Sequence, residues 1–174
     1  MTSKTRLSVA IGEESFKLGI VTKKSAVIAA ILNALKSEFD TYVTTSKKAR
    51  STGNDAQTKA EGKYDTRSTE ENYLADGLAK HALVAREAHE AIASMPTVSF
   101  ESDRPISLGA LIELDFGSEI GWFFLAPAAG GLEVTVEETI ITVLTPESPL
   151  GLQLQGRLQG GKTAMPATKI LRVI

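Results

Sequence analysis

Apolar residues in the first half of the chain recur at intervals of three and four, the spacing that lines one face of a helix. Between Lys23 and about Thr45 the apolar positions are Ile28, Ile31, Leu32, Leu35, Phe39 and Tyr42. Neither proline nor glycine interrupts this segment. The pattern therefore predicts a first helix that begins near residue 23.

A second helical pattern runs from about Thr69 to Met95 and ends before Pro96. Its periodic positions are Tyr73, Leu74, Leu78, His81, Ala85, Ala88 and Ile92. Each helix has only a narrow apolar stripe, so neither buries enough surface to be stable alone. The sequence predicts an antiparallel helical hairpin, or coiled coil, over residues 23–95, with its tip at about residues 53–70.

After Pro96 the pattern changes to short β-branched and aromatic stretches separated by turn residues. The predicted strands are Ala110–Asp115, Ile120–Ala126, Thr139–Leu144 and Ala167–Val173. We expect them to form a small antiparallel sheet. The leucines between Pro149 and Leu158 favour a short helix over a further strand, although periodicity alone leaves both open.

The fold class that follows is α+β, with a helical hairpin before a β domain at residues 99–174 and an arm of unknown role at residues 1–22. Within this arm, Ser8–Ile11 and Phe16–Val21 are compatible with strands or with a loosely attached segment.

His81 and His89 lie eight residues apart on the second helix, too far to share a metal, so we expect seam or surface positions for both.

Charge and composition favour a protein partner over free nucleic acid. The formal net charge is −2, so the chain lacks the basic surplus that gives salt-dependent affinity for phosphate backbones. It has no cysteine and no apolar run of about 20 residues. We therefore expect a cytoplasmic protein with no thiolate chemistry and no membrane association.

The β half contains a specific motif in Val143–Gly156, which reads VLTPESPLGLQLQG. Pro146 and Pro149 fix φ, Ser148 is placed to cap the following helix, and Gly151 allows close backbone packing. The motif resembles the signature of the C-terminal domain of Gre-type transcription elongation factors. The stretches Ile106–Leu114 and Trp122–Pro127 resemble the first two strands of that domain, so the resemblance covers about residues 99–174.

The resemblance implies an FKBP-like β domain that docks on RNA polymerase and a hairpin that enters its secondary channel. The implied docking candidates are Ser148, Pro149, Leu150 and Gly151. The protein would be a monomer without enzymatic activity of its own, acting on the nuclease activity of the polymerase and contacting nascent RNA indirectly. It would hold no tight cofactor, only Mg²⁺ shared with the polymerase.

The predicted tip is polar, and residues 53–72 hold five acidic against three basic side chains. In the Gre family, acids at the tip help to hold Mg²⁺ for cleavage of backtracked RNA, and carboxylates are suitable hard oxygen ligands. The family pattern is approximately Asp-x-x-Glu-Asn. Here Glu71-Asn72 match its end while Ser68 replaces the first acid; alternatively, Asp65 supplies that acid, with Glu70 or Glu71 as its partner.

Several functions remain open at this level. The tip acids, Asp65 and Glu71 in particular, would support transcript cleavage as metal ligands, or the hairpin would occupy the channel without cleavage. A peptidyl-prolyl isomerase is the alternative from another class, because the β domain resembles that of FKBP enzymes. The active site of such an enzyme needs an apolar pocket lined with aromatic side chains, and a similar domain does not by itself supply one. The aromatics after Pro96 are Phe100, Phe116, Trp122, Phe123 and Phe124. A coiled-coil adaptor without polymerase contact is a further alternative.

Overall fold

The computed structural model describes residues 3–59, 65–96, 98–100 and 103–174, with side chains from residue 23 onward except those of residues 53–68. The helices and strands of the described chain are α1 (Ser3–Lys59), α2 (Asp65–Ala93), β1 (Leu111–Asp115), β2 (Ile120–Leu125), β3 (Glu133–Val136), β4 (Thr139–Leu144), α3 (Pro149–Leu154), β5 (Lys162–Ala164) and β6 (Ala167–Val173). The chain is an α+β protein, as the sequence predicts.

The chain divides into two compact units. Residues 1–31 and 94–174 form the sheet unit, and residues 32–93 form the hairpin unit. The predicted domain limits at residues 22, 95 and 99 stay predictions. They mark changes in the sequence pattern, whereas the two compact units are defined by contacts between residues.

Helix α1 begins at Ser3, about twenty residues earlier than predicted. Ser8–Ile11 and Phe16–Val21 therefore lie in a helix, and the strand interpretation of these stretches is wrong. The prediction began at Lys23 because the apolar stripe is clear only from there. Gly12 and Gly19 interrupt the earlier pattern, but a glycine inside a helix costs only about 1 kcal/mol, whereas a proline would end it.

The hairpin unit pairs α1 with α2 in antiparallel orientation, as predicted. The Tyr42 ring stacks on His81, with 5.3 Å between ring centroids. Further along α1, the Ser46 hydroxyl donates a 2.8 Å hydrogen bond to the main-chain oxygen of Ala75. Higher numbers on α1 thus meet lower numbers on α2, so the two helices run in opposite directions.

The seam of the hairpin differs in part from the predicted stripe. Leu35 and Ala85 are buried as expected, but Tyr73 is 74% exposed and Leu74 is 56% exposed. The buried positions of α2 are Ala75, Ala82, Ala85, Ala88 and Ile92. Alanines at spacings of seven, three and three let the helix backbones approach closely, so small residues form the seam and the large Tyr73 faces outward.

Gly77 gives a direct test of helix propensity within α2. A Cβ built at this position meets nothing within 4 Å. Gly77→Ala is therefore expected to stabilise the hairpin unit by about 0.5–1 kcal/mol, because alanine loses less backbone entropy on helix formation. Urea unfolding followed by circular dichroism at the helix band measures the change. The reverse substitution at exposed Ala79, Ala79→Gly, should destabilise by a similar amount; a destabilised Gly77→Ala would contradict the prediction.

The sheet is mixed, which corrects the predicted antiparallel arrangement. Its strand order is β3-β4-β2-β1-β6-β5 over the described chain, and β2 pairs with β4 in parallel while the other neighbours are antiparallel. The error arises from β3, which the sequence prediction omitted. One additional chain reversal between β2 and β4 turns β4 into the same direction as β2.

Both faces of the sheet are buried at its centre. Leu111 and Ile112 are adjacent in β1, so their side chains point to opposite faces, yet both are fully buried. On the Ile112 face, Leu154 of α3 joins the core cluster with Leu114 and Ile170.

The predicted strands are confirmed with small shifts of their ends, and α3 confirms the short helix, although it stops at Leu154 rather than Leu158.

Candidate functional site

The three tip acids lie on one continuous helix. Asp65 is the first residue of α2, and Glu70 and Glu71 follow within its first two turns. Positions 65 and 71 are separated by about 9 Å along the axis and by about 120° around it. The loop interpretation, which would have let a turn gather these acids, therefore has no support from the backbone.

The tip is described only in part. Residues 60–64 and the side chains of residues 53–68, including that of Asp65, lie outside the described chain. Glu70 is exposed and Glu71 is half-buried. Among the side chains that the structure does describe, no three His, Asp or Glu residues are close enough to hold a metal ion.

The turn before α3 has the geometry that its sequence predicts. Ser148 is the N-cap: its hydroxyl accepts a 3.0 Å hydrogen bond from the Gly151 amide and donates one of 2.7 Å to the main-chain oxygen of Thr145. Pro149 occupies the first turn, where a missing N–H costs nothing. A Cβ on Gly151 would lie 2.0 Å from the Thr145 oxygen, so only glycine fits there.

The docking candidates in this turn have unequal access to a partner. Gly151 is buried, and Leu150 is half-buried against the core cluster. Pro149 is exposed, and Ser148 is half-buried with its hydroxyl in the cap. The structure thus gives Ser148, Leu150 and Gly151 a role in the fold; their role in docking stays a prediction.

Gln153 is a polar anchor that the sequence reasoning missed. Its Oε1 accepts 3.0 Å hydrogen bonds from the amides of Ala164 and Met165, and its Nε2 donates to the main-chain oxygen of Met165. These bonds tie α3 to the turn between β5 and β6. Beside them, Leu152 is 65% exposed and Met165 is 76% exposed. The only feature of the sequence that could have pointed to this anchor is a glutamine between two leucines of a short helix.

A row of charged and aromatic side chains crosses the sheet within the sheet unit. Arg172, Glu113 and Trp122 are register partners on β6, β1 and β2. Arg172 Nε lies 3.1 Å from Glu113 Oε2, and Lys23 Nζ lies 4.6 Å from the centroid of the Trp122 ring. Lys23 on α1 therefore interacts with the end of this row.

Lys24, the next residue of α1, is buried in the same unit at 4% exposure. Its ammonium donates hydrogen bonds to the main-chain oxygens of Val98 and Ile174 and lies over the Phe100 ring. Burial, with a smaller contribution from the Arg104 charge, lowers the pKa of Lys24 from 10.5 to about 8. Nothing in the local sequence marks this lysine as buried.

The aromatic side chains of the sheet unit pack against other groups. Phe124 is fully buried, and the Phe116 and Phe123 rings are 5.9 Å apart beside the core cluster. The Trp122 ring has Lys23 and Arg172 within cation–π range. Rings engaged in this way leave little aromatic surface for a proline-peptide pocket, so the isomerase alternative gains no support.

Together these features define an α+β protein with an antiparallel helical hairpin and a mixed sheet. The short helix α3, which packs on this sheet, begins at a serine N-cap. No helix in the described part of the chain combines the length and apolar content that crossing a membrane requires. No protein-family model matches the sequence, and no curated protein matches it.

Two solved structures are similar to this chain. One is the crystal structure of GreA factor homolog 1 (Gfh1) of Thermus thermophilus, with 13% identity over 83% of this chain and 95% of that chain and a TM-score of 0.32. The other is described as the transcription factor Gfh1, with 15% identity over 83% of this chain and 93% of that chain and a TM-score of 0.28. TM-scores this low support no conclusion about function.

Proposed function

We propose that this protein is a Gre-like transcription elongation regulator that binds RNA polymerase and inserts its hairpin into the secondary channel. The observation that carries the proposal is the Thr145–Gly151 turn. Its residues resemble the Gre signature, and the cap at Ser148 and the close approach at Gly151 give two of these positions a physical reason. An antiparallel helical hairpin precedes this turn, in the domain order that the family has.

Occupation of the channel without cleavage is the form of this activity that the backbone favours. Positions 65 and 71 are about 120° apart around α2, so the helix backbone does not place these two residues on one face, which argues against their use as ligands of one Mg²⁺. Ser68 stands where the Gre pattern has its first acid. The hairpin would then exclude substrates or other regulators from the channel, with the polymerase remaining the enzyme.

The proposal is tested on stalled, backtracked elongation complexes. The parent protein is expected to bind core RNA polymerase and to slow nucleotide addition, without releasing short 3′ RNA fragments. A variant with residues 53–70 replaced by a short glycine-serine linker should still bind but should lose most of the inhibition, because the channel entry is then open. Asp65→Ala and Glu71→Ala are expected to inhibit as the parent does.

Three other outcomes are informative. Absence of binding to core polymerase in a pull-down would overturn the proposal. Release of 3′ fragments that Asp65→Ala or Glu71→Ala abolishes would replace channel occupation with stimulated cleavage through a shared Mg²⁺. Catalysis of proline-peptide isomerisation by the parent protein would favour the isomerase alternative instead.

A further inference from the structure

The hairpin unit carries a groove between α1 and α2 with a volume of about 330 Å³. The large apolar side chains that line it are Phe39, Val43 and Leu83. Phe39 and Val43 are half-buried, and Leu83 is 44% exposed. The groove therefore offers a recess for a large apolar side chain on a part of the hairpin that the predicted tip chemistry does not use.

The rim of this groove is cationic. Lys47, Arg50 and Arg86 line it, and no acidic residue is among its described lining residues. Arg50 is paired with Asp76 at 2.9 Å and Arg86 with Glu90 at 3.6 Å. Both pairs are more than half exposed, so they are weak and their guanidinium groups keep free donors for another acceptor.

Lys47 adds a cation with no acidic partner among the described side chains. Three cations around an apolar recess are complementary to a ligand that has carboxylates beside a large apolar group. Arginine binds carboxylates through paired donors, and an apolar anchor in the recess supplies affinity that does not depend on salt.

We propose that this groove binds an acidic segment of a partner protein, anchored by a leucine or phenylalanine side chain in the recess. RNA is the less suitable occupant, since sequence-tolerant RNA binding uses exposed aromatic surfaces for base stacking, whereas Phe39, the aromatic residue that lines this recess, is half-buried. The proposal does not depend on whether the hairpin enters a polymerase channel.

The test selects random 12-residue peptides, displayed on phage, against the full-length protein. Peptides kept by the parent and released by Lys47→Glu are expected to be rich in Asp and Glu and to contain a large apolar residue. One such peptide is then labelled for fluorescence anisotropy. Leu83→Gln and Lys47→Glu should each weaken its binding by about tenfold, as expected for an anchor and for a charge reversal within the site.

Neighbouring residues outside the groove supply matched controls. Val84→Gln replaces an exposed aliphatic residue next to Leu83, and Lys48→Glu reverses the charge of the lysine next to Lys47. Each should alter the affinity by less than about twofold. Equal binding of the selected peptide and of a version with its apolar residue replaced by serine would overturn the proposal. So would a selection without acidic enrichment, or tighter binding of a 12-nucleotide single-stranded RNA that Leu83→Gln does not affect.

Discussion

Gly151→Ala is expected to destabilise the sheet unit by about 3 kcal/mol, the upper part of the range for overpacking. The new methyl group would lie 2.0 Å from the main-chain oxygen of Thr145 and 2.7 Å from Ser148 Oγ. These two atoms form the cap itself, because the Ser148 hydroxyl donates to Thr145 and accepts from the Gly151 amide. Relief of the clash would therefore break the bonds that begin α3.

Urea unfolding followed by Trp122 fluorescence measures this effect, because Trp122 is the only tryptophan of the chain and lies in the sheet unit. Leu152→Ala is the matched control, since Leu152 is the next residue of α3 and is 65% exposed. It should change the free energy of unfolding by less than about 0.5 kcal/mol. A Gly151→Ala variant as stable as the control would contradict the predicted steric conflict.

The free energy of unfolding of the sheet unit is expected to rise by about 2 kcal/mol between about pH 7.5 and about pH 10, because buried Lys24 loses its proton in this range. Burial lowers the pKa of Lys24 from 10.5 to about 8 in the folded protein. The folded state therefore binds fewer protons than the unfolded state between these two values, and stability rises with pH across that window. Below about pH 8 the folded protein bears the full cost of a buried ammonium group.

The difference between the parent and Lys24→Met isolates this contribution from other groups that titrate in alkali. The parent should gain stability relative to Lys24→Met as the pH rises, measured by urea unfolding at a series of pH values. Lys23→Met removes the neighbouring lysine, which lies over Trp122 instead of in the interior, and should keep the gain. A parent and Lys24→Met with parallel pH profiles would show that the ammonium is not desolvated.

The candidate site was predictable where chemistry is local. Ser148, Pro149 and Gly151 act within one turn, so their types and spacing were enough to predict the cap and the close approach. Gln153 was missed because its partners, Ala164 and Met165, come from a distant turn. The arrangement of Asp65 and Glu71 also needed the structure, since sequence alone left a loop and a helix both open.

The fold was predicted to a similar extent. The hairpin and the four principal strands follow from period and turn residues, but β3 and β5 are four and three residues long, too short to show a period. Omission of β3 led directly to the wrong direction for β4. Tyr73 and Leu74 were placed in the seam for their hydrophobicity, whereas close packing of the helices selected Ala75 and Ala82.

By itself the sequence determined the α+β class, the two amphipathic helices of the hairpin and the capped turn at Ser148, because each depends on residues within a few positions of one another. Only the tertiary structure decided that β2 and β4 run parallel, that Lys24 is buried, and that cations surround an apolar groove on the hairpin. The physical reason is distance along the chain. Strand direction, desolvation and groove shape arise from contacts between segments that are far apart in sequence, and the local pattern of one segment does not show which other segment it contacts.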